Sequence, residues 1–353
     1  MKVKKIRILT YCCWTSFGSI LQSYALSKTL LNLGYKNTIW LENWNREIYK
    51  PAPKNAKDIL KYIYSFFNNK KINNAHKKRQ DFILNNLDVE YFPDDEAFVK
   101  KASENTDDIY LAGSDQIWNP DRCNPLFFLD FVKSSKKISY AASMGNTTIA
   151  PGKVEKFRNW LNDFDRISVR EQTCAQTLQQ LTDKEIQVNI DPTFLIGADE
   201  WRKIEKPYKV NEPYILLYML YWDNSLKQKI AGLKKRTGLP VYAVCPYISR
   251  VNADRCLYDV GVDEFLWLVD HAEYVVASSF HGVAFSLIFQ KRFAAVINPK
   301  QSSRIDNLFE MFSIPRIGID ELESKASFDY GSVMKKTEEE RRRSMEYLKE
   351  AIG

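Results

Sequence analysis

Three kinds of signal are scarce in this sequence of 353 residues, and each scarcity excludes a class of protein. With three histidines and no Cys-x-x-Cys pair among six cysteines, the chain offers no zinc-ligand spacing. No apolar run is long enough to span a bilayer. The first residues lack the apolar core and small-residue cleavage site of a signal peptide, so we expect a cytoplasmic protein with reduced thiols.

Positive charge is present in modest excess, 51 basic against 44 acidic residues, and much of it falls in residues 51–80. Ile59, Ile63 and Phe66 recur there at helical spacing, and a basic amphipathic helix can lie on an anionic membrane. Peripheral contact with the inner membrane surface through residues 54–79 is therefore one interpretation. The favoured one is a domain helix with its lysines in water. No recognition motif accompanies the charge, so no nucleic-acid partner is expected.

Strand-like and helix-like segments alternate along the whole chain, as expected for a mostly parallel α/β protein. The length exceeds that of one ordinary core. We predict an N-terminal α/β domain at 1–205, a C-terminal α/β domain at 206–330 and a C-terminal helix at 331–353. The predicted strands are 6–12, 38–42, 108–112, 137–142, 166–170, 187–191, 214–220, 240–245, 274–278 and 293–297. The predicted helices are 19–33, 55–68, 74–86, 152–162, 171–181, 225–236, 263–271, 282–289, 304–311 and 337–351.

Ligands of parallel sheets bind beyond the carboxyl ends of the strands, so polar residues that directly follow a strand are the candidate ligand contacts. After the first strand, Gly18 and Ser19 open a helix whose backbone N–H groups suit an anion, and Gln22 lies one turn further on. Single glycines in turns are common, which weakens this signal. After residues 109–112 comes a loop of donors, acceptors and a stacking face that suits a sugar. An ordinary turn with Asx capping is the alternative, and the density of polar groups favours the sugar-binding interpretation. The loop contains Gly113, Ser114, Asp115, Gln116, Trp118 and Asn119.

Two further strand ends carry weaker signals. Ser143 closes a run of small residues that admits either a ligand or tight packing. Arg170 ends a predicted buried strand, where an unpaired cation is costly. Its fork can bind a carboxylate or phosphate, or form a structural salt bridge to Glu171, and the spacing does not separate the two.

The best-placed segment runs from the strand at 274–278 into an apolar helix. It places Ser278, Ser279 and His281 at a helix N-terminus, with Gly282 beside them, which is an expected anion position. A histidine there can act as a general acid or base near neutral pH. A capping or core histidine is the plainer alternative.

With these residues identified, the chain resembles the polysaccharide pyruvyl transferase family from about residue 6 to about residue 318. The resemblance implies two Rossmann-like domains arranged as in GT-B glycosyltransferases, with a cleft between them. The order and spacing of several segments carry it. They are residues 17–26, 113–120, 137–143, 168–172, 191–193 and 279–282.

The resemblance also implies transfer of the enolpyruvyl unit of phosphoenolpyruvate to a sugar of a surface or capsular polysaccharide precursor, giving a pyruvate ketal and phosphate. Arg170 then matches the family's donor-binding arginine, and His281 matches the histidine of its Ser-Arg-x-His-Gly motif. Ser279 stands where many members have arginine, and Lys300 or Arg304 is the expected replacement. No metal or cofactor is expected.

The predicted roles divide the site in two. His281 is the catalytic candidate for one proton transfer, and Ser278, Ser279 and Gly282 join Arg170, Lys300 and Arg304 on the donor side. Asp115 is the candidate partner on the acceptor side, which belongs to the N-terminal domain. The other predicted acceptor-binding residues are Gly18, Ser19, Gln22, Ser114, Gln116, Trp118, Asn119 and Ser143. A nucleotide-sugar glycosyltransferase and a non-catalytic glycan-binding relative remain the alternative functions.

Overall fold

The computed structural model describes residues 4–13, 15–42, 72–222, 224–244, 253–298, 303–323 and 329–353. The predicted helix at 55–68 and Lys300 lie outside these ranges. In the first half the elements are, in chain order, β1 (Ile6–Leu9), α1 (Phe17–Asn32), β2 (Asn37–Glu42), α2 (72–86), β3 (Val89–Phe92), α3 (Asp95–Glu104), β4 (Ile109–Ala112), β5 (Lys136–Ser139), α4 (Pro151–Asn162), β6 (Ile167–Val169), α5 (Gln172–Gln179), β7 (Ile186–Val188) and α6 (Ala198–Arg202).

The first sheet has five parallel strands in the order β3-β2-β1-β4-β5. The strand pair β6-β7 continues it, because the backbone N–H of Ser139 donates to the carbonyl of Arg166 at 3.0 Å and that of Ala142 to Ser168 at 3.2 Å. β4 is a fully buried apolar run, and β1 is fully buried as well, with Arg7 paired to Asp108, as expected for strands covered by helices on both faces. The carboxyl ends of β1, β4, β5, β6 and β7 therefore share one edge.

The second half repeats the pattern. Its elements are β8 (Ile215–Tyr218), α7 (Ser225–Thr237), β9 (Val241–Val244), β10 (Arg255–Leu257), α8 (Val262–Asp270), β11 (Tyr274–Ala277), α9 (Phe280–Ile288), β12 (Arg292–Ala295), α10 (Ser303–Phe312) and α11 (Tyr330–Ile352). The sheet order is β10-β9-β8-β11-β12, again all parallel. The two predicted α/β sheets are thus confirmed, while the boundaries at residues 205 and 330 stay predictions.

The two halves share one hydrophobic core through α1, α8 and α9. Phe17 stacks on Phe265 with ring centroids 4.5 Å apart. α2 bridges the halves as well, since Nζ of Lys78 donates to Glu264 at 2.7 Å and Nε of Arg79 donates to the carbonyl of Val260 at 3.2 Å. This packing fixes the N-terminus of α1 against that of α9.

The same contacts bear on the predicted membrane segment. Of residues 54–79, only 72–79 are described, and there Lys78 and Arg79 face α8 rather than an open surface. Among the described residues, no helix combines the length and apolarity needed to cross a membrane.

Several element predictions needed correction. β3, β10 and α3 were not predicted. Their sequences are short or polar, and neighbouring strands stabilise β3 and β10. The last helix starts at Tyr330, not at Thr337, because Asp329 caps the N–H of Ser332. Thr337 lies inside the helix, and its hydroxyl donates to the carbonyl of Val333 at 2.9 Å.

Candidate active site

The N-terminal turns of α1 and α9, one from each half, approach each other closely. A Cβ placed on Gly18 would lie 2.0 Å from Nδ1 of His281 and 2.4 Å from its Cγ. Any larger residue at position 18 therefore requires the histidine ring to move. Gly18 was predicted to admit an anion, and in this structure it admits His281.

His281 is buried at the start of α9, with 6% of its surface exposed. Its Nε2 lies 3.8 Å from Oδ2 of Asp191 and has no hydrogen-bond partner among the described residues. Burial lowers the pKa of the imidazole below its ordinary value. The carboxylates of Asp191 and Asp115 act in the opposite direction, and two arginines act with burial. The ring is consequently neutral at physiological pH.

Arg170 directly follows β6 and is almost fully buried. Its Nε donates to Oε1 of Glu171 at 3.0 Å, its Nη1 donates to Oδ2 of Asp191 at 2.6 Å, and its guanidinium lies 4.3 Å from the ring centroid of Phe280. Burial lowers the pKa of Arg170, but the two bound carboxylates and Asp115 outweigh it and raise the pKa overall. The structural salt bridge to Glu171 is present, and Nη2 has no hydrogen-bond partner among the described residues, so ligand binding by Arg170 stays a prediction.

Arg304, near the start of α10, brings a second guanidinium to the same place. The amide of Gln116, with its oxygen turned toward the arginine, accepts from Nη1 at 2.8 Å and Nη2 at 3.0 Å. Burial and then the charge of Arg170 lower the pKa of Arg304, while nearby carboxylates, Asp115 first, oppose them. α10 is anchored across the halves by Asn307, whose Oδ1 accepts from the backbone N–H of Gln172 at 2.9 Å.

Four shielded polar atoms in this cluster have no hydrogen-bond partner among the described residues: Nη2 of Arg170, Oε2 of Glu171, Nε2 of His281 and Nε of Arg304. Native proteins leave few such atoms unpaired, because each costs about 1–3 kcal/mol. Their concentration at the shared edge of the strands makes this the candidate position for a polar ligand. Three of the four belong to side chains that can donate to an anion.

The other predicted donor residues surround this position with different local roles. The hydroxyl of Ser278 accepts from the backbone N–H groups of Leu220 at 2.7 Å and Tyr221 at 2.9 Å, so it holds the loop after β8. Ser279 is the N-cap residue of α9 but its side chain makes no capping bond. A Cβ on Gly282 would lie 2.8 Å from Cβ of Ala277 and 2.9 Å from Tyr218, which indicates a packing requirement.

Several predicted acceptor residues turn out to hold the loops together. Gln22 is fully buried, and its Nε2 donates to Thr10 and to the carbonyls of Tyr11 and Ser19 at 2.9 Å, while its Oε1 accepts from the N–H of Ser114. The hydroxyl of Ser114 donates to the carbonyl of Ala141 at 2.7 Å. These bonds occupy the side chains, so the expectation of direct acceptor contact is corrected to a supporting role.

Ser19 and Ser143 are likewise engaged. The Oγ of Ser19 donates to the carbonyls of Cys13 and Ser16 at 3.1 Å, which fixes the turn before α1. The Oγ of Ser143 donates to Oε1 of Glu171 at 2.7 Å. Ser143 therefore contacts the candidate site through Glu171, and both serines are buried.

Trp118 is a core residue, which corrects the expectation that its ring stacks on a sugar. It is fully buried, its ring lies 5.2 Å from that of Phe128, and its Nε1 donates to the carbonyl of Phe127 at 3.0 Å. Asn119 caps a 3-10 turn through a bond from the N–H of Asp121. Asp115 is half-buried at φ 66°, and its carboxylate raises the pKa of His281 and of both arginines. Its role on the acceptor side stays a prediction.

Sequence analysis missed Asp191 as a site residue, although the segment 191–193 contributed to the resemblance. Asp191 follows β7 and caps a short 3-10 turn, where its Oδ1 accepts from the N–H of Thr193 at 3.0 Å and from its hydroxyl at 2.8 Å. The signal was available, since an Asp-Pro step after a strand is a capping pattern at a carboxyl end. Its pairing with Arg170 required the tertiary structure.

The candidate site offers guanidinium, imidazole and carboxylate groups from both halves. Among the described residues, the group with atoms close enough to share a metal ion is Glu205, Asp270 and His271. Arg202 already donates to both oxygens of that Asp270, at 2.8 and 3.2 Å, which opposes a cation there. The unpartnered guanidinium nitrogens of the candidate site can donate to an anionic ligand.

Two parallel sheets joined by a shared core, with a polar site built from both halves, define a protein of the GT-B architecture. Solved structures with this fold include UDP-GlcNAc 2-epimerase from Neisseria meningitidis, at 9% identity, TM-score 0.55 and 99% coverage of each chain. Arabidopsis thaliana UGT89C1 complexed with UDP aligns at 9% identity, TM-score 0.52 and 98% of each chain. The glycotransferase of kitacinnamycin aligns at 10% identity, TM-score 0.50 and 100% of each chain. At these identities the likeness shows the fold alone.

The family follows from the sequence itself. The model of the family described as polysaccharide pyruvyl transferase matches residues 17–300. The chain therefore belongs to the polysaccharide pyruvyl transferase family. Comparison with curated proteins finds no match.

Proposed function

We propose that this protein transfers the enolpyruvyl group of phosphoenolpyruvate to a sugar of a surface polysaccharide precursor, forming a pyruvate ketal and releasing phosphate. The observation that carries the proposal is the cluster of unpartnered nitrogens on Arg170, His281 and Arg304. Phosphoenolpyruvate presents a phosphate and a carboxylate, and guanidinium forks bind both groups in preference to neutral ligands.

Arg304 supplies the positive charge that an arginine at position 279 would carry. Ser279 occupies the position where the family's motif usually has arginine, and the guanidinium of Arg304 reaches the same cluster from α10. The amide of Gln116 orients that guanidinium and leaves its Nε free to donate. The positive charge therefore comes from α10 instead of from the N-terminus of α9.

The proposed transfer forms two C–O bonds to the enol carbon of phosphoenolpyruvate, one after the other. One sugar hydroxyl forms a bond to the enol carbon as the methylene carbon gains a proton, and the hydroxyl proton leaves. A second hydroxyl then displaces phosphate from the same carbon, and its proton leaves with the phosphate. His281 is the candidate for one proton transfer, with Asp115 on the acceptor side, and the arginines stabilise the charge that develops on the departing phosphate.

The test is phosphate release when the purified protein is incubated with phosphoenolpyruvate and lipid-linked or nucleotide-linked sugars, with the ketal identified by mass. Failure to release phosphate with every acceptor, while a family member with arginine at the Ser279 position succeeds, would contradict the proposal. Thermal stabilisation by a nucleoside diphosphate but not by phosphoenolpyruvate would favour a nucleotide-sugar glycosyltransferase.

Arg304→Gln gives a sharper measurement in the same assay. We expect KM for phosphoenolpyruvate to rise about tenfold to a hundredfold, because one charged hydrogen bond to the donor is lost. Arg316→Gln is the matched control, since Arg316 is an exposed arginine paired with Asp306 just beyond the same helix. Equal KM values for the two variants would exclude Arg304 from the donor site.

A further inference from the structure

One oxygen of Asp191 faces both His281 and Arg170. Its Oδ2 accepts from Nη1 of Arg170 at 2.6 Å and lies 3.8 Å from Nε2 of His281. Its Oδ1 is held separately by the N–H and hydroxyl of Thr193. The carboxylate is thus fixed at one end, paired at the other, and just beyond hydrogen-bond reach of the imidazole.

The side chain of Asp191 is completely buried, yet it is held as an anion. Burial raises the pKa of its carboxyl, while a protonated His281, Arg170 and the bonds from Thr193 lower it, and the pKa lies below its ordinary value overall. With the ring neutral, Arg170 and Thr193 are the partners that hold the negative charge. A buried carboxylate with these partners has a fixed position and a fixed charge. The carboxylate of Asp191 can therefore orient Arg170 and influence the protonation of His281 while it stays ionised itself.

The imidazole of His281, by contrast, can change its protonation state. The charged groups that face it are Asp191, Asp115, Arg170 and Arg304, and burial outweighs the two carboxylates so that the ring is neutral. Nδ1 packs against Gly18, while Nε2 has no partner among the described residues. An anionic ligand adds negative charge close to the ring, which favours the imidazolium form.

We propose that Asp191 is a positioning residue, whose Oδ2 fixes Arg170 and receives Nε2–H of His281 when the ring takes up a proton on binding of an anionic substrate. In this step one N–H bond forms on the imidazole, and the acid form of the buffer gives up the proton and becomes its conjugate base. The step rests on the proposed function, because the anion in question is phosphoenolpyruvate. His281 is then neutral without the substrate and protonated when the substrate is bound.

The first test needs no substrate. The chain has three histidines, so the imidazole signals of histidine-labelled protein can be resolved by NMR, with that of His281 assigned by its loss in His281→Gln. In Asp191→Asn we expect the titration midpoint of His281 to fall by about one pH unit, because the nearest opposing charge is removed. Asp121→Asn, which removes an exposed carboxylate in the same half, is the control. An unchanged midpoint in Asp191→Asn would overturn the proposal.

The second test uses unmodified protein, so it does not depend on the folding of a variant. Calorimetric titration with phosphoenolpyruvate, in buffers of different ionisation enthalpy, counts the protons taken up on binding. We expect uptake approaching one proton at pH 7, and its loss in His281→Gln. Inorganic phosphate serves as a second probe. Binding of phosphoenolpyruvate without proton uptake would overturn the role of Asp191 and leave the proposed function intact.

A failure of the proposed function can be distinguished from a failure of the role proposed for Asp191. If unmodified protein binds neither phosphoenolpyruvate nor phosphate, the proposed function fails, and the NMR midpoint alone decides whether Asp191 controls His281. If the donor binds and reacts, we expect Asp191→Asn to lower kcat at least a hundredfold, and Asp191→Glu to recover part of it because it keeps the charge. Equal kcat in Asp191→Asn and unmodified protein would contradict the positioning role.

Discussion

Gly18 and His281 face each other across the two halves so closely that a Cβ on the glycine would lie 2.0 Å from the imidazole Nδ1. The contact joins the first turn of α1 to the first turn of α9, and each helix follows a buried strand of its own sheet. The backbone of one half thus determines where the histidine of the other half lies. That relationship is a property of the packed halves and of neither alone.

Gly18→Ala is expected to displace His281 and to reduce kcat/KM by about a hundredfold, since a shift of about 1 Å in a reacting group has that effect. Gly152→Ala is the matched control, because Gly152 lies in α4 with nothing within 4 Å of an added Cβ. Steady-state phosphate release, with thermal denaturation to check folding, measures both. Full activity in Gly18→Ala would show that the site tolerates a displaced ring.

Ser279 and Ser16 occupy equivalent N-cap positions but differ in bonding. Ser16 accepts from the N–H of Ser19 at 3.3 Å, whereas the side chain of Ser279 makes no capping bond to α9. We expect Ser16→Ala to lower the free energy of unfolding by about 1 kcal/mol and Ser279→Ala to change it by only a few tenths. Chemical denaturation measures the difference. A KM for phosphoenolpyruvate that rises in Ser279→Ala alone would support the predicted donor contact of Ser279, and an unchanged KM would remove it.

The stability of the protein is expected to fall as the pH is lowered, in part through His76. Burial, and then the charge of Arg79, lower the pKa of His76 to about 4. In the unfolded chain His76 takes up a proton near pH 6.5, whereas in the folded chain it stays neutral until about pH 4. The free energy of unfolding therefore falls as the pH is lowered through this window.

His76→Gln removes that linkage. Because His76 is half-buried, we expect the loss of unfolding free energy between pH 7 and pH 5 to shrink by about 1 kcal/mol in this variant. Urea denaturation at the two pH values makes the comparison. His271→Gln is the control, since that exposed histidine stacks on Trp267 at a helix end. Identical pH dependence in His76→Gln and unmodified protein would contradict the assignment.

Much of this architecture could be predicted from local patterns. Buried apolar runs such as residues 109–112 and 274–277 predict parallel strands, which the structure confirms. Pro151 and Gly34, residue types typical of helix ends, lie in the first turn of α4 and just beyond α1. These signals are local because covering both faces of a strand requires continuous apolar residues, and a helix end requires a specific backbone conformation. The family resemblance rested on the order of such segments and is confirmed by the match over residues 17–300.

The composition of the site was decided by tertiary packing. Sequence spacing left Arg170 equally suited to a ligand or to Glu171, and only the folded chain shows that Asp191, at the end of the next strand, takes a second nitrogen. Trp118 and Gln22 have the side chains of a sugar site, yet packing buries both and uses their polar atoms. Residue type and strand position determined that His281 stands at a helix N-terminus. The charges that face it come from segments far apart in the chain, which only the folded sheets bring together.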